Sequence, residues 1–283
     1  VVFLAFITFV LRPMPIFLFW LFSCVGFWHV NLVSELRDVP PPIGDAVGDF
    51  GPHLFVCFVI WHVVLQHVWY AFEHVPLEFG IAWLGLWWIG VLLDVVFANV
   101  PLQRLTYHDI SQQPGAVTSI VIIVIVVVVL AINQVRVVRS VGLLPKYLAL
   151  YIVFGIVLAL CAAVPGEGLR LHHYVIALIL LPGCAFPTRI SLLCCAILFG
   201  MYINGVARWG FDGILQDNGV IQGDATGNSL LPSFSSSMTT DGVIKWNPIP
   251  ADQRNIWSAF NLLVDDVLRY EGPDTSYNLS SCL

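Results

Sequence analysis

Charge is what this sequence has least of. Asp, Glu, Lys and Arg make up 11% of its 283 residues, against about a quarter in soluble domains, which excludes a water-solvated fold for most of the chain. The net charge is −6 and no run of Lys or Arg is long enough to build a basic face. A nucleic-acid partner is therefore excluded. Seven cysteines are present, but no CxxC pair. Six of them (Cys24, Cys57, Cys161, Cys184, Cys194, Cys195) fall inside apolar runs, and only Cys282 lies in a polar stretch. Neither a disulfide framework nor a zinc finger follows from that distribution. GxSxG, GxGxxG and GxxxxGK[ST] are absent, so serine-hydrolase, dinucleotide and P-loop chemistry lack their motifs. No secretory leader pattern opens the chain. It starts at Val1 with a short apolar run before Arg12, and reads as an internal fragment.

What the sequence has in excess is apolar length. Hydrophobic residues account for 58% of the chain and the mean hydropathy is +0.86. Residues 1–215 hold nearly all of the apolar runs, 216–242 read as a polar linker, and 243–283 form a separate C-terminal segment. A helix needs about 20 apolar residues to cross the hydrocarbon layer. Spans are expected at about 14–33, 53–72, 79–98, 116–133, 147–164, 172–184 and 190–206, after a truncated run at 1–11. The last two are short, and Pro182 and Pro187 bracket their junction. Two tilted crossings are the expectation there, and a re-entrant hairpin is the alternative. Val117–Leu130 is Ile or Val at almost every position, too long for a strand and apolar all round, as a lipid-facing helix would be.

Orientation follows from charge placement. Arg136, Arg139 and Lys146 crowd one short connection, and Arg12 and Arg189 fall on the same side by alternation, the cytoplasmic signature. Arg37, Arg104, Arg170 and Arg208 fall on the other side. The triplet Asn278-Leu279-Ser280 is a glycosylation acceptor. Seven crossings place it on the lumenal or extracellular side, in a plasma membrane or endomembrane protein.

In the C-terminal segment, VIKWNPIP ends a strand with Pro, and LLVDDVLRY and PDTSYNLSS supply a further apolar run, a turn and an alternation. A helix over 255–270 is the rival reading. The Trp246 strand and the two following segments resemble the first half of a fibronectin type III module. That resemblance implies a Trp packed between two sheets of a truncated β-sandwich. In the membrane part, LTYHDISQQPGAV, INQVRVVRSVGLLPKYLALYI, LRLHHYVIALILLPGCAFPTRISLL and GMYINGVARWGFDGILQ resemble the membrane region of fungal LCCL-domain-containing multi-pass proteins. This second resemblance covers most of residues 14–216 and implies lumenal modules flanking the bundle, with no reaction attached.

Two polar sets could carry chemistry. His29, His53, Asp94, His108, Asp109, Glu167, His172 and His173 all fall near the lumenal face. Imidazoles with a carboxylate can hold zinc and acidify a bound water. Against that, HExxH and HxxxH are both absent, and adjacent histidines such as His172 and His173 point about 100° apart on a helix; interfacial hydrogen bonding explains them as well. His62, Gln66 and Glu73 form a stripe on one helix, suited to an ion path or to hydrogen bonding between helices. Arg208, Trp209 and Asp212 read as an interfacial anchor.

The expectation is an all-α polytopic membrane helical bundle of about seven spans plus a truncated first one, followed by a partial β-sandwich. Its function would be to scaffold lumenal binding modules that meet a protein or glycan ligand, with the lipid bilayer as its first partner. No cofactor is expected. A metal-dependent membrane enzyme or transporter using a metal ion at the lumenal His/Asp set is the alternative.

Overall fold

The computed structural model describes residues 2–34, 43–98, 100, 115–165, 167–169, 171–217, 242–248, 260–264 and 267–278. The chain divides into two compact units, Val1–Ile221 and Gln222–Leu283.

The first unit is mostly helical. Its helices are α1 (Val2–Leu11), α2 (Pro15–Leu32), α3 (Ile43–Phe72), α4 (Pro76–Val91, with one more turn at Leu93–Val96), α5 (Ala116–Ser140), α6 (Leu144–Ala162), α7 (His173–Cys184) and α8 (Arg189–Trp209). Five of them, α2, α3, α5, α6 and α8, are long and apolar enough to cross a membrane; α1, α4 and α7 are apolar but shorter.

Three of these helices depart from the sequence expectation. α5 runs seven residues past the expected end at 133, so Arg136 and Arg139 lie on its last turns and the connection shortens to 141–143. α3 starts at Ile43, ten residues before the expected span, and carries Pro52 inside it. Phe50 in the added segment packs on Phe27 and Trp28 of α2, which anchors the extension despite the lost backbone bond at Pro52. α4 ends early because Leu92 leaves helical geometry. It is therefore a shorter span than 79–98.

Local chemistry sets the helix ends. Thr188 caps α8, its hydroxyl accepting the backbone N–H of Ser191 at 3.1 Å. Between α5 and α6, Gly142 takes φ +75, and its N–H donates to the Arg139 carbonyl while Leu143 reaches Val138. That left-handed residue closes the helix, and Pro145 opens the next one, where its missing N–H costs nothing.

α8 is the centre of the bundle, packed against α4, α7, α2 and α3; 72% of its span window is buried. Aromatic rings fill the space around it. Phe199 stacks on Phe19 at 5.2 Å, Phe22 meets Trp87 edge-on at 4.7 Å, and Trp69 meets Trp83 edge-on at 4.7 Å. α5 and α6 are different. Only 6% and 0% of their span windows are buried. Near their joined ends Ser191 donates to Gln134 at 3.1 Å and Tyr147 meets Phe186 at 5.4 Å.

α7 and α8 form a hairpin whose open end is tied by two short strands. β1 (Glu167–Leu169) pairs antiparallel with β2 (Leu215–Asp217). The Tyr174 hydroxyl donates to the Asp212 carbonyl at the same end. The start of α7 and the end of α8 therefore lie at one level. Their turn lies at the other, near Gln134 and Tyr147.

The second unit holds β3 (Val243–Lys245), β4 (Phe260–Val264), β5 (Val267–Gly272) and β6 (Ser276–Asn278). β3 pairs antiparallel with β6, and β4 with β5, with a bulge at Leu262/Leu263. Trp246 is buried between the two ladders: its ring meets Phe260 at 5.7 Å and Tyr270 at 5.9 Å, and its backbone N–H donates to the Thr275 carbonyl. The rival helix over 255–270 is not what forms, since β4 and β5 occupy its second half.

Candidate functional site

The histidines and carboxylates singled out by sequence do not converge. His29 on α2 lies edge-on to Trp88 at 4.9 Å. His53 is fully buried, its ring stacked between Phe27 at 4.8 Å and Tyr202 at 5.6 Å. This corrects its expected place at the membrane face, because α3 has already run ten residues when it reaches His53. Asp94 pairs with Arg208, Oδ2 to Nη1 at 2.8 Å, and the Arg208 guanidinium also lies over the Trp209 ring. His172 stacks on Tyr174, His173 is exposed at the start of α7, and Glu167 is half-buried on β1. His108 and Asp109 lie outside the described residues. Among the described residues, no three His, Cys, Asp or Glu side chains are placed to share a metal ion.

The second set faces outward. His62 Nδ1 donates to the Phe58 carbonyl at 2.8 Å, and Gln66 Nε2 donates to the His62 carbonyl at 2.9 Å. Both bonds run along their own helix, and both are exposed. Among the described residues, neither of these two bonds ties α3 to a neighbour. Glu73, two turns beyond Gln66, is exposed at the end of α3.

Two arrangements went unread in the sequence. The first is a polar core cluster. The thiol of Cys57 lies 2.8 Å from the Ser23 hydroxyl and 3.6 Å from His53 Nε2, and the Tyr202 hydroxyl faces the same sulfur. His53 and Cys57 are four residues apart, so they share one face of α3, and that spacing was the available signal. The cluster is closed in by rings, and none of its members borders the bundle's cavity described next. Its chemistry is that of a register pin, in which the buried Ser23, Cys57 and His53 groups bond one another and penalise a slip of α2 against α3.

The second is a cavity of about 240 Å³ where four helix ends meet. Thr8 and Arg12 come from the end of α1, Pro15 from the start of α2, Trp69 and Glu73 from the end of α3, and Phe79 from the first turns of α4. Arg12 sits at φ 44, in the left-handed region, with its N–H bonded to the Ile7 carbonyl and its Nε to the Phe9 carbonyl at 3.0 Å. The residue that ends α1 thus also brings a cation to the cavity. Thr8 and Trp69 are 4% and 1% exposed, and among the described residues neither the Thr8 hydroxyl nor the Trp69 indole N–H has a hydrogen-bond partner. Buried donors without partners are uncommon enough to call for a cause.

No family model matches the chain. No solved structure matches it either. It is similar to the uncharacterized protein YIL067C of Saccharomyces cerevisiae, with 30% identity over 279 residues, an alignment that takes in 92% of this chain and 40% of that protein. The chain thus spans about two-fifths of the length of the curated relative it matches.

Proposed function

We propose that this chain is the multi-pass membrane region of a scaffold protein, holding the β-strand unit on the lumenal or extracellular side for a protein or glycan ligand. The observation that carries the reading is the bare apolar surface of α5 and α6. Val121, Ile122, Val124, Ile125, Ile152 and Val157 are each about half exposed, on helices whose span windows are 6% and 0% buried. In water such a surface would aggregate; in lipid it is the expected exterior, and helices are the spanning form that satisfies its backbone internally.

Charge supports the direction of insertion. Among the described residues, Arg12, Arg136, Arg139, Lys146 and Arg189 fall at one end of the bundle, which is read as cytoplasmic. Asp45, Asp49, Asp94, Glu167 and Asp212 fall at the other, with Arg208. The Asn278 acceptor follows the last helix and belongs with the acidic end under this reading. The buried Trp246 between two antiparallel ladders supports the fibronectin-like assignment of the C-terminal unit.

The test is a topology map of the full chain in cells. Alkaline carbonate should leave the protein in the membrane pellet. Endoglycosidase should shift the wild-type band and leave Asn278→Gln unchanged, while an acceptor triplet placed in the 141–143 connection should stay unmodified. Release by carbonate, or glycosylation at the 141–143 site, would overturn the reading.

A further inference from the structure

The cavity at the ends of α1 to α4 has a charge pattern that the scaffold reading does not use. Two helices, α2 and α4, begin beside it, at Pro15 and Pro76. Helix N-termini present partial positive charge, and Arg12 adds a full one. The C-terminal end of α3 presents partial negative charge, and Glu73 adds a carboxylate at the same rim. Deeper in, the unpartnered Thr8 hydroxyl and Trp69 N–H belong to side chains that are more than nine-tenths buried and line the cavity. The lining at Arg12 therefore suits an anion, the lining at Glu73, beside the His74 imidazole, suits a cation, and two buried hydrogen-bond donors belong to lining residues.

Size and depth narrow the ligand. Pockets for drug-sized molecules run from roughly 300 to 1,000 Å³, so about 240 Å³ suits a polar group of a few heavy atoms. The cavity lies at the level where helices end, which is headgroup depth for a bundle in a bilayer. Apolar Leu18, Phe72 and Phe79 continue the lining toward the helix bodies, where acyl chains would run.

We propose that this cleft binds the headgroup of an aminophospholipid, with the phosphodiester held by Arg12, Trp69 and Thr8 and the primary ammonium met by Glu73. The site rests on the membrane reading above. Selectivity would come from the ammonium, because a quaternary choline group carries the same charge but has no N–H to give the carboxylate. A headgroup without an amine would keep the phosphate contacts and lose the Glu73 contact.

The experiment uses the full chain, purified in detergent and titrated with dioleoyl phosphatidylethanolamine, phosphatidylcholine and phosphatidylglycerol, with bound lipid counted by native mass spectrometry. Phosphatidylethanolamine should be retained roughly tenfold better than phosphatidylcholine, the worth of one charge-assisted hydrogen bond. Glu73→Gln, an exposed and structurally mild change, should erase that preference and leave phosphatidylglycerol binding intact. Arg12→Gln should weaken all three lipids. Thr8→Val should weaken all three while keeping their order. Equal retention of the three lipids by the wild type, or an undiminished preference in Glu73→Gln, would overturn the site. Competition by free glycerophosphoethanolamine as strong as by the lipid would assign the cleft to a soluble phosphoamine and overturn the lipid assignment. Failure of the membrane reading looks different: the chain would leave the membrane in carbonate, whereas a chain that stays in the pellet without headgroup preference loses only this site.

Discussion

Gly90 on α4 and Gly200 on α8 sit where the two backbones touch, and adding one methyl group at either position should pry the helices apart. A Cβ on Gly200 would run into the Trp87 carbonyl oxygen and lie 2.8 Å from the Val91 nitrogen and 2.9 Å from the Gly90 carbonyl carbon. A Cβ on Gly90 would run into the Ile197 carbonyl oxygen and lie 2.9 Å from both the Gly200 Cα and the Met201 nitrogen. Carbon atoms pack at about 3.5 to 4.0 Å, and a gap of ~0.5 to 1 Å already forfeits a quarter to a half of a dispersion contact. Backbone atoms cannot swing aside. The helices must therefore separate by roughly half an ångström or more, loosening the bond from Asn204 Nδ2 to the Val91 carbonyl at 2.9 Å and the Phe22–Trp87 contact. Overpacking of this kind costs about 1 to 3 kcal/mol, and the better helix propensity of Ala returns up to ~1 kcal/mol. Gly200→Ala and Gly90→Ala should each destabilise by about 1 to 2 kcal/mol on that balance. The double variant should cost less than the sum, because the first shift makes room for the second methyl. Gly85→Ala lies on the same α4 with nothing within 4 Å of its Cβ, and Gly155→Ala on α6 is equally open. Both should be neutral or slightly stabilising. Unfolding of the full chain in detergent, followed by the emission of Trp83, Trp87 and Trp88 on α4, measures all five variants. If Gly200→Ala proves as stable as Gly85→Ala, or if the pair is additive, the close approach is not the constraint described.

Three further outcomes are expected. Asp94→Ala should cost roughly 1 to 3 kcal/mol, between the ranges for exposed and buried ion pairs, because both side chains are about a quarter exposed; the swap Asp94→Arg with Arg208→Asp should recover part of it in the same unfolding assay. Tyr174→Phe removes the hydroxyl that reaches the Asp212 carbonyl and should cost about 1 kcal/mol, seen as faster proteolysis after α8 with little change in the helical signal. Trp246→Ala should cost ~3 kcal/mol or more, enough to open a strand unit this small, so protease should cut within 242–278 while leaving the helices protected.

Hydropathy alone located most of the helices, since a run of apolar residues long enough to cross a bilayer leaves little choice of secondary structure. It failed at helix ends. Residues 43–52 contain Pro52, Gly44, Gly48 and Gly51, and by propensity they read as a loop; only the packing of Phe50 against α2 makes them helix. The polar residues were misjudged for a related reason. Sequence position gives depth along a span, but facing is set by tertiary contacts. His53 was therefore expected at the surface and lies in the core, while His62 was expected to matter inside and bonds only its own helix. The cavity was not legible at all. Thr8, Arg12, Trp69 and Glu73 are separated by up to 65 positions and come together only when four helix ends meet.

The most apolar of the five long helices, α5, is only 6% buried over its span window, and the reason lies in the solvent. In water, α5 with its unbroken Ile and Val would be driven to the centre. In lipid its side chains gain nothing from leaving the hydrocarbon, so association depends on how closely backbones can approach and on which polar groups can pair. By that criterion α8 is the best partner in the chain: Gly200 and Gly205 admit α4 and α7, Asn204 reaches the Val91 carbonyl, and Ser191 reaches Gln134. Of the residues of α5, Ala116, Gln134 and Val138 are buried, and the Gln134 side chain accepts from Ser191 of α8. The order of burial in this fold therefore follows small and polar residues rather than hydropathy, an inversion that a water-soluble helical core would not produce.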